Sequence, residues 1–168
     1  DYGMPIASAQ VKSAILLAGL YARSPTVIRE ELPTRDHTER MLEGFGYKVD
    51  RQANQTVLQS GGRLQARDLT IPGDFSSAAF FLVAATVVPG SRIELHGVGM
   101  NPTRTGLLDI LKLMGAKIQI NNLRTTAGEP IADLIAESSD LHGVVVPPAL
   151  VSRTIDEFPA LSIAAAHA

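Results

Sequence analysis

The chain has 168 residues, enough for one ordinary domain or two small ones and too few for a large multidomain enzyme. With 45% hydrophobic and 19% charged residues it can bury enough apolar surface to fold, so wholesale disorder is excluded. Fifteen Lys and Arg against seventeen Asp and Glu give a net charge of −2, without the basic excess of a nucleic-acid binder, and the absence of cysteine excludes disulfides, thiolate zinc sites and a Cys nucleophile among these residues.

From Ser8 the run Ser-Ala-Gln-Val-Lys-Ser-Ala-Ile-Leu-Leu-Ala-Gly-Leu predicts a helix that is apolar on nearly every face, the pattern of a buried helix. Arg23-Ser24-Pro25 breaks it, and Thr26 to Ile28 is expected as a strand. Pro33-Thr34-Arg35-Asp36-His37 opens a second helix with Thr34 as its expected N-cap, Met41, Leu42 and Phe45 as its apolar stripe and Gly46 as its stop. Tyr47 to Val49 and Thr56 to Leu58 read as strands joined by the polar turn Gln52-Ala53-Asn54.

The order then recurs: a strand over Leu69 to Ile71, an almost wholly apolar helix from Asp74 to Thr86, and a strand over Arg92 to Leu95. Pro102-Thr103-Arg104 opens an amphipathic helix closed by Gly115, and a strand follows over Lys117 to Ile120. Pro33 and Pro102 are 69 residues apart, and so are Gly46 and Gly115, which marks an internal repeat. A third copy starts with a strand over Val144 to Val146, a break at Pro147-Pro148 and an Ala-rich helix from Asp156 that is cut off at Ala168. The expected fold is therefore α/β, a repeat of βαβαββ units with buried Ala-rich helices, incomplete here and exposing part of its core. The longest apolar run, Ala78 to Val88, is far short of the roughly 20 residues that cross a bilayer. No leader pattern follows Asp1, and no membrane partner is expected; the charge balance gives no nucleic-acid partner and the absence of cysteine favours the cytoplasm.

Several residues carry candidate chemistry. Ser8 stands at an N-cap with no carboxylate in the first turn behind it, so backbone N–H groups, the Ser8 hydroxyl, the Gln10 amide and Lys12 could converge on a phosphate; a plain cap is the other reading. Arg35 and Arg104 each follow Thr at a helix start, where the dipole disfavours a cation, so each either reads an anion or pairs with a neighbour such as Asp36 or Asp109. Asp156 and Glu157 precede a buried helix, which suits a general base and equally suits charge complementing the dipole. The four histidines lack metal-ligand spacing, and no metal is expected.

The Ser8 run, Pro-Thr-Arg-Asp-His-Thr-Glu-Arg-Met-Leu from Pro33, Ile-Pro-Gly-Asp-Phe-Ser-Ser-Ala from Ile71, Met-Asn-Pro-Thr-Arg-Thr-Gly from Met100 and Ile-Asp-Glu-Phe-Pro-Ala-Leu from Ile155 together resemble the 5-enolpyruvylshikimate-3-phosphate synthases over the whole chain. The resemblance implies an inside-out α/β barrel fold in two domains of three βαβαββ units each. Residues 1–68 would be the last unit of one domain, and 69–168 the first unit and part of the second unit of the other. It implies transfer of the carboxyvinyl group of phosphoenolpyruvate to the 5-hydroxyl of shikimate 3-phosphate with release of phosphate. This is a step toward chorismate and the aromatic amino acids, requires no cofactor, and is the target of glyphosate.

Position by position, the resemblance makes Ser8, Ala9 and Gln10 contacts to shikimate 3-phosphate, with Gln10 also near phosphoenolpyruvate. It makes Arg35 a substrate-binding arginine and Asp156 the group that takes the 5-hydroxyl proton, and it assigns no role to Arg104. The family's phosphoenolpyruvate-gripping cations and proton donor lie outside these residues, so the longer chain is expected to be a monomeric enzyme and the 168 residues alone inactive. A UDP-N-acetylglucosamine enolpyruvyl transferase and a non-catalytic scaffold fragment are the alternatives.

Overall fold

A computed structural model describes residues 1–168, which divide into two compact units, Asp1–Thr70 and Ile71–Ala168. The first unit runs β1 (Tyr2–Gly3), α1 (Ala9–Gly19), β2 (Thr26–Arg29), α2 (His37–Gly44), β3 (Val49–Gln52) and β4 (Gln55–Leu58). Its sheet has the order β1-β2-β4-β3, with β1 parallel to β2 and the other pairs antiparallel. Leu16 of α1, Leu42 of α2, Ile28, Val49 and Leu58 of the strands, and Met4 and Tyr47 form its core. This is the expected βαβαββ order.

The second unit runs α3 (Phe75–Val87), β5 (Arg92–Gly99), α4 (Gly106–Leu113), β6 (Lys117–Thr126), β7 (Glu129–Glu137) and α5 (Pro148–Val151), then a single 3-10 turn at Ile155–Glu157 that leads into α6 (Phe158–Ala166). Its sheet has the order β5-β7-β6, all antiparallel. Gly73 adds a one-residue parallel bridge to Val98 on the free side of β5. With Gly73 standing where β1 stands in the first unit, both sheets share one strand order, so the 69-residue register of the sequence is a structural repeat. The core is built from α3, α4 and α6 against β7, with Leu82, Leu107, Ile110, Leu111, Leu134 and Ala164 wholly enclosed. No helix is long and apolar enough to cross a membrane.

Several expected elements differ. Leu69 to Ile71 is not a strand, and neither is Val144 to Val146: a strand needs a hydrogen-bonded neighbour, and no strand of the chain pairs with either segment. Thr34 does not cap α2, which begins at His37 with Asp36 in the cap position. The Thr34 backbone N–H and hydroxyl both donate instead to Glu30 Oε2, at 3.2 and 2.7 Å. Pro102 to Arg104 likewise forms a turn ahead of α4, with the Thr103 N–H and hydroxyl donating to Asn101 Oδ1. Strand β7 fills the last place of the βαβαββ unit, to which the sequence assigned no residues. The three apolar helices bury one side only, leaving Phe80 and Phe81 of α3 60% and 55% exposed, with Val11, Leu17 and Ile163 also open.

One ionic cluster holds the first unit together. Lys12 is 1% exposed, and its ammonium lies 3.0 Å from Glu30 Oε1 and 2.9 Å from Glu39 Oε1, linking α1, the end of β2 and α2. It also donates to the Thr34 carbonyl at 3.4 Å. In the second unit the equivalent organiser is Asp133 of β7, which faces a register shift on each neighbouring strand. It accepts from the Gly97 N–H at 2.8 Å and from the Asn122 side-chain amide at 2.9 Å, and Arg124 lies at 3.5 Å. Gly97 sits at φ +63° and Asn122 at φ +51°, the left-handed conformation that turns both bulged strands inward toward one carboxylate.

Two stability tests follow from these clusters. Removing one partner of a buried ion pair strands the others without counter-charge, so Lys12→Met is expected to destabilise the first unit by about 3–5 kcal/mol in urea unfolding; Lys12→Met combined with Glu30→Gln and Glu39→Gln should recover part of that loss. The hydrogen bonds from Asn122 and Gly97, helped by Arg124 and opposed by burial, hold the Asp133 carboxyl down at about 2, from an ordinary 3.8. A depressed carboxyl contributes stability above its unfolded value and loses it as pH falls through the folded one. The stability gap between the unaltered chain and Asp133→Asn should therefore narrow between about pH 4 and pH 2 when denaturation curves are recorded at each pH.

Candidate functional site

The first unit holds Ser8, Ala9, Gln10 and Arg35. Ser8 is extended, at φ −147° and ψ 111°, and its hydroxyl oxygen accepts from the Val11 N–H at 3.3 Å, a long contact for a cap. The Ser8 O–H points toward Gln10 Oε1 at 3.4 Å, and the first turn of α1 contains no carboxylate. Ser8 and Ala9 are half-buried and Gln10 is exposed, so the positive end of the helix dipole, its leading N–H groups, a hydroxyl and an amide meet at an accessible surface. Lys12 does not join them. Its ammonium is enclosed and occupied by Glu30 and Glu39, which removes it from the anion-binding set.

Arg35 lies in the turn before α2, half-buried, rather than in the first turn of the helix. The helix-start penalty invoked from the sequence therefore does not apply to it, nor to Arg104, which precedes α4 in the same way. The turn that carries Arg35 is fixed from within: Glu30 holds the amide and hydroxyl of Thr34, and Lys12 holds its carbonyl. One side chain of α1 thus ties the helix bearing Ser8 to the residue before Arg35. Asp36, the neighbour considered as a partner for Arg35, accepts from Arg40 and Arg51.

The second unit holds Asp156, in the 3-10 turn ahead of α6, with its side chain 44% exposed. Glu157 beside it is buried and accepts from the Ser76 hydroxyl at 2.5 Å. The backbone there is pinned to α4. The Gly106 N–H donates to the Arg153 carbonyl at 3.2 Å, and a Cβ on Gly106 would lie 2.2 Å from Thr154 Oγ1, so only glycine permits this approach. Arg153 also donates to the Pro102 carbonyl at 2.6 Å and pairs with Asp109 at 2.9 Å. Arg104 therefore does not pair with Asp109: it lies 3.5 Å from Asp74 and 3.9 Å from Asp156, and donates to Ser76 Oγ at 2.6 Å.

Helix α3 contrasts with α1 at its start. Asp74 caps it, accepting from the Ser77 N–H and the Ser77 hydroxyl, each at 2.8 Å. Burial pushes the Asp74 carboxyl up, but those hydrogen bonds and the Arg104 guanidinium outweigh it and hold it below the usual carboxylate range. The Ser76–Arg104–Glu157 link was not foreseen, because its members are 28 and 81 residues apart in pairs and only the fold joins them. No group of three His, Asp or Glu side chains is arranged to hold a metal.

Comparison with known proteins identifies the family of the chain. The family model for EPSP synthase (3-phosphoshikimate 1-carboxyvinyltransferase) matches residues 1–168. A 3-phosphoshikimate 1-carboxyvinyltransferase of Alkalilimnicola ehrlichii is 59% identical over all of this chain, which covers 38% of that protein, and one of Acidithiobacillus ferrooxidans is 57% identical, with 39% of it covered. The solved EPSP synthase from Acinetobacter baumannii superposes on 99% of the chain with a TM-score of 0.95 at 52% identity, and 38% of that structure is covered. The chain thus spans somewhat over a third of the length of the relatives it matches, and over that span it belongs to the EPSP synthase family.

Proposed function

We propose that these residues are an internal part of a longer cytoplasmic enzyme that transfers the carboxyvinyl group of phosphoenolpyruvate to the 5-hydroxyl of shikimate 3-phosphate and releases phosphate. Residues 1–68 supply the last unit of one domain, and 69–168 the first unit and part of the next unit of the other. The observation that carries the reading is the match of the whole chain to this one family, in motif order, together with the open, carboxylate-free start of α1.

In this reading the N–H groups at the head of α1, the Ser8 hydroxyl and the Gln10 amide take the phosphate of shikimate 3-phosphate, with Arg35 as a further substrate contact. Such a site needs no induced charge, because the donors and the dipole are already in place. Asp156 accepts the 5-hydroxyl proton as that oxygen bonds to the central carbon of phosphoenolpyruvate. Its exposure leaves it reachable, and an ionised carboxylate is the form that can accept a proton. The proton for the methylene carbon and the cations for phosphoenolpyruvate come from outside the 168 residues.

Phosphate release assayed with both substrates tests the reaction: the full-length chain is expected to turn over steadily and residues 1–168 alone not at all. Asp156→Asn in the full-length chain should keep shikimate-3-phosphate binding and lower turnover by roughly 10²–10⁴, the range for losing a general base. Near-normal turnover would remove Asp156 from that role. The phosphate site has its own test, since losing one hydrogen bond to a charged group costs about 1.5–3 kcal/mol. In calorimetric titration Ser8→Ala should weaken shikimate-3-phosphate binding about tenfold or more, whereas Ser76→Ala, at the self-capped helix, should leave binding unchanged. Equal effects would leave Ser8 a simple cap.

A further inference from the structure

We propose that Arg104 is a positioning residue for Asp156, holding that carboxylate where it can accept a proton through a clamp that also grips Ser76, Asp74 and Glu157. The inference rests on the reading of Asp156 as the proton acceptor and adds a residue to which neither motif form nor family resemblance gave a role.

Three features of the geometry point to it. The Arg104 guanidinium is the cation shared by Asp74 at 3.5 Å and Asp156 at 3.9 Å, and it donates to Ser76 Oγ at 2.6 Å. Ser76 in turn gives its proton to the buried Glu157, so Arg104 reaches the residues on both sides of the 156–157 peptide, one directly and one through a hydroxyl. The clamp joins the start of α3 to the turn ahead of α6, and the Arg153 guanidinium on the Pro102 carbonyl together with the Gly106 N–H on the Arg153 carbonyl bring the Arg104 turn alongside that segment. Finally, the separation of 3.9 Å suits a base. At that distance Arg104 makes an ion pair with Asp156 and not a hydrogen bond, so it orients the carboxylate without the two-pronged grip of a bidentate arginine.

The internal repeat sharpens the assignment. Arg104 stands 69 residues after Arg35, at the equivalent turn of the second unit. The same arginine position is read in one unit as a substrate contact, and in the other it is turned onto that unit's own carboxylates. With Arg104 removed, Asp74 and Asp156 would lose the cation they share and Ser76 its guanidinium donor, leaving the segment that carries Asp156 untied from the start of α3.

Steady-state kinetics of the full-length chain test this through a double-mutant cycle. Arg104→Gln is expected to lower kcat roughly 10–100-fold, the scale of a displaced reacting group, with KM for both substrates within about threefold of normal. Arg104→Lys, which keeps the charge, should recover most of that loss. Ser76→Ala, which removes the hydroxyl bridge and keeps the charge, should lower kcat severalfold. In an Asp156→Asn background both Arg104→Gln and Ser76→Ala should be nearly silent, since a positioning residue has nothing left to position. Equal losses in the two backgrounds, a change confined to KM, or a kcat that Arg104→Lys fails to recover would overturn the positioning role while leaving Asp156 as base. Normal turnover of Asp156→Asn by itself would overturn the base reading, a separate outcome visible before the cycle is closed.

Discussion

A buried ammonium decides how the first unit can be built. Lys12 leaves water only because Glu30 and Glu39 meet it, and desolvating such a group costs several kcal/mol unless its partners are held in place. Its partners come from the end of β2 and from α2, so α1 cannot shift along its axis or rotate without breaking the cluster. Glu30 spends its second oxygen on Thr34, and Lys12 spends a further proton on the Thr34 carbonyl. The turn that carries Arg35 therefore has one geometry, defined relative to the helix that carries Ser8. The ion cluster is remote from catalysis in any chemical sense, yet it fixes where two proposed substrate contacts stand.

The second unit meets the same demand with other chemistry. Its turn ahead of α4 is closed by Asn101, which takes the place of the Glu30 carboxylate toward the threonine, and is held from the far side by Arg153 on the Pro102 carbonyl. A neutral side chain with a long-range arginine replaces a buried carboxylate with a lysine. This is why the repeat was legible as Pro-Thr-Arg, helix and Gly in both copies, while the anchors of those turns were not: Lys12, Asn101 and Arg153 occupy no common position. The helices α1 and α3 and strand β4 were read from local pattern, because capping side chains and apolar runs act within a few positions, whereas β3 runs Val49–Gln52 rather than the expected Tyr47 to Val49 and takes Gln52 from the expected turn.

What pattern could not supply was partnership. Val144 to Val146 has the composition of a strand and Ile131 to Ala136 has no clean alternation, yet only the second is one. Strand β7 lies between β5 and β6 and is enclosed on both sides at Ile131, Ala132 and Leu134, so its residues show no solvent-facing period to detect. Asp133 interrupts the apolar run and argues locally against a buried strand, but it is the group that reconciles two bulged neighbours. The Ala-rich helices show the partly exposed core expected of an incomplete set of units. An apolar helix needs cover on every side, and Phe80, Phe81 and Ile163 lie open because the two units supply it on one side only. That exposure fits the proposal that the chain is part of a larger enzyme.

Of the proposed site, the sequence carried the residue types but not their electrostatic context, and the two helix starts show what that context does. Helices α1 and α3 occupy equivalent places in the repeat, and both begin with a polar cap ahead of an apolar run. At α3 the cap is Asp74, whose carboxylate already satisfies the leading donors and offsets the dipole, a contribution on the order of 0.3–1 kcal/mol that an incoming phosphate would forfeit through repulsion. At α1 the cap is the neutral Ser8, bound to its helix by one long contact, and the cation nearest in sequence is sealed inside the unit. The first start therefore keeps its positive potential for an external anion, and the second is closed by its own. A duplicated unit can thus carry one open and one self-capped helix start, and the charge at the cap, rather than the motif, separates the two.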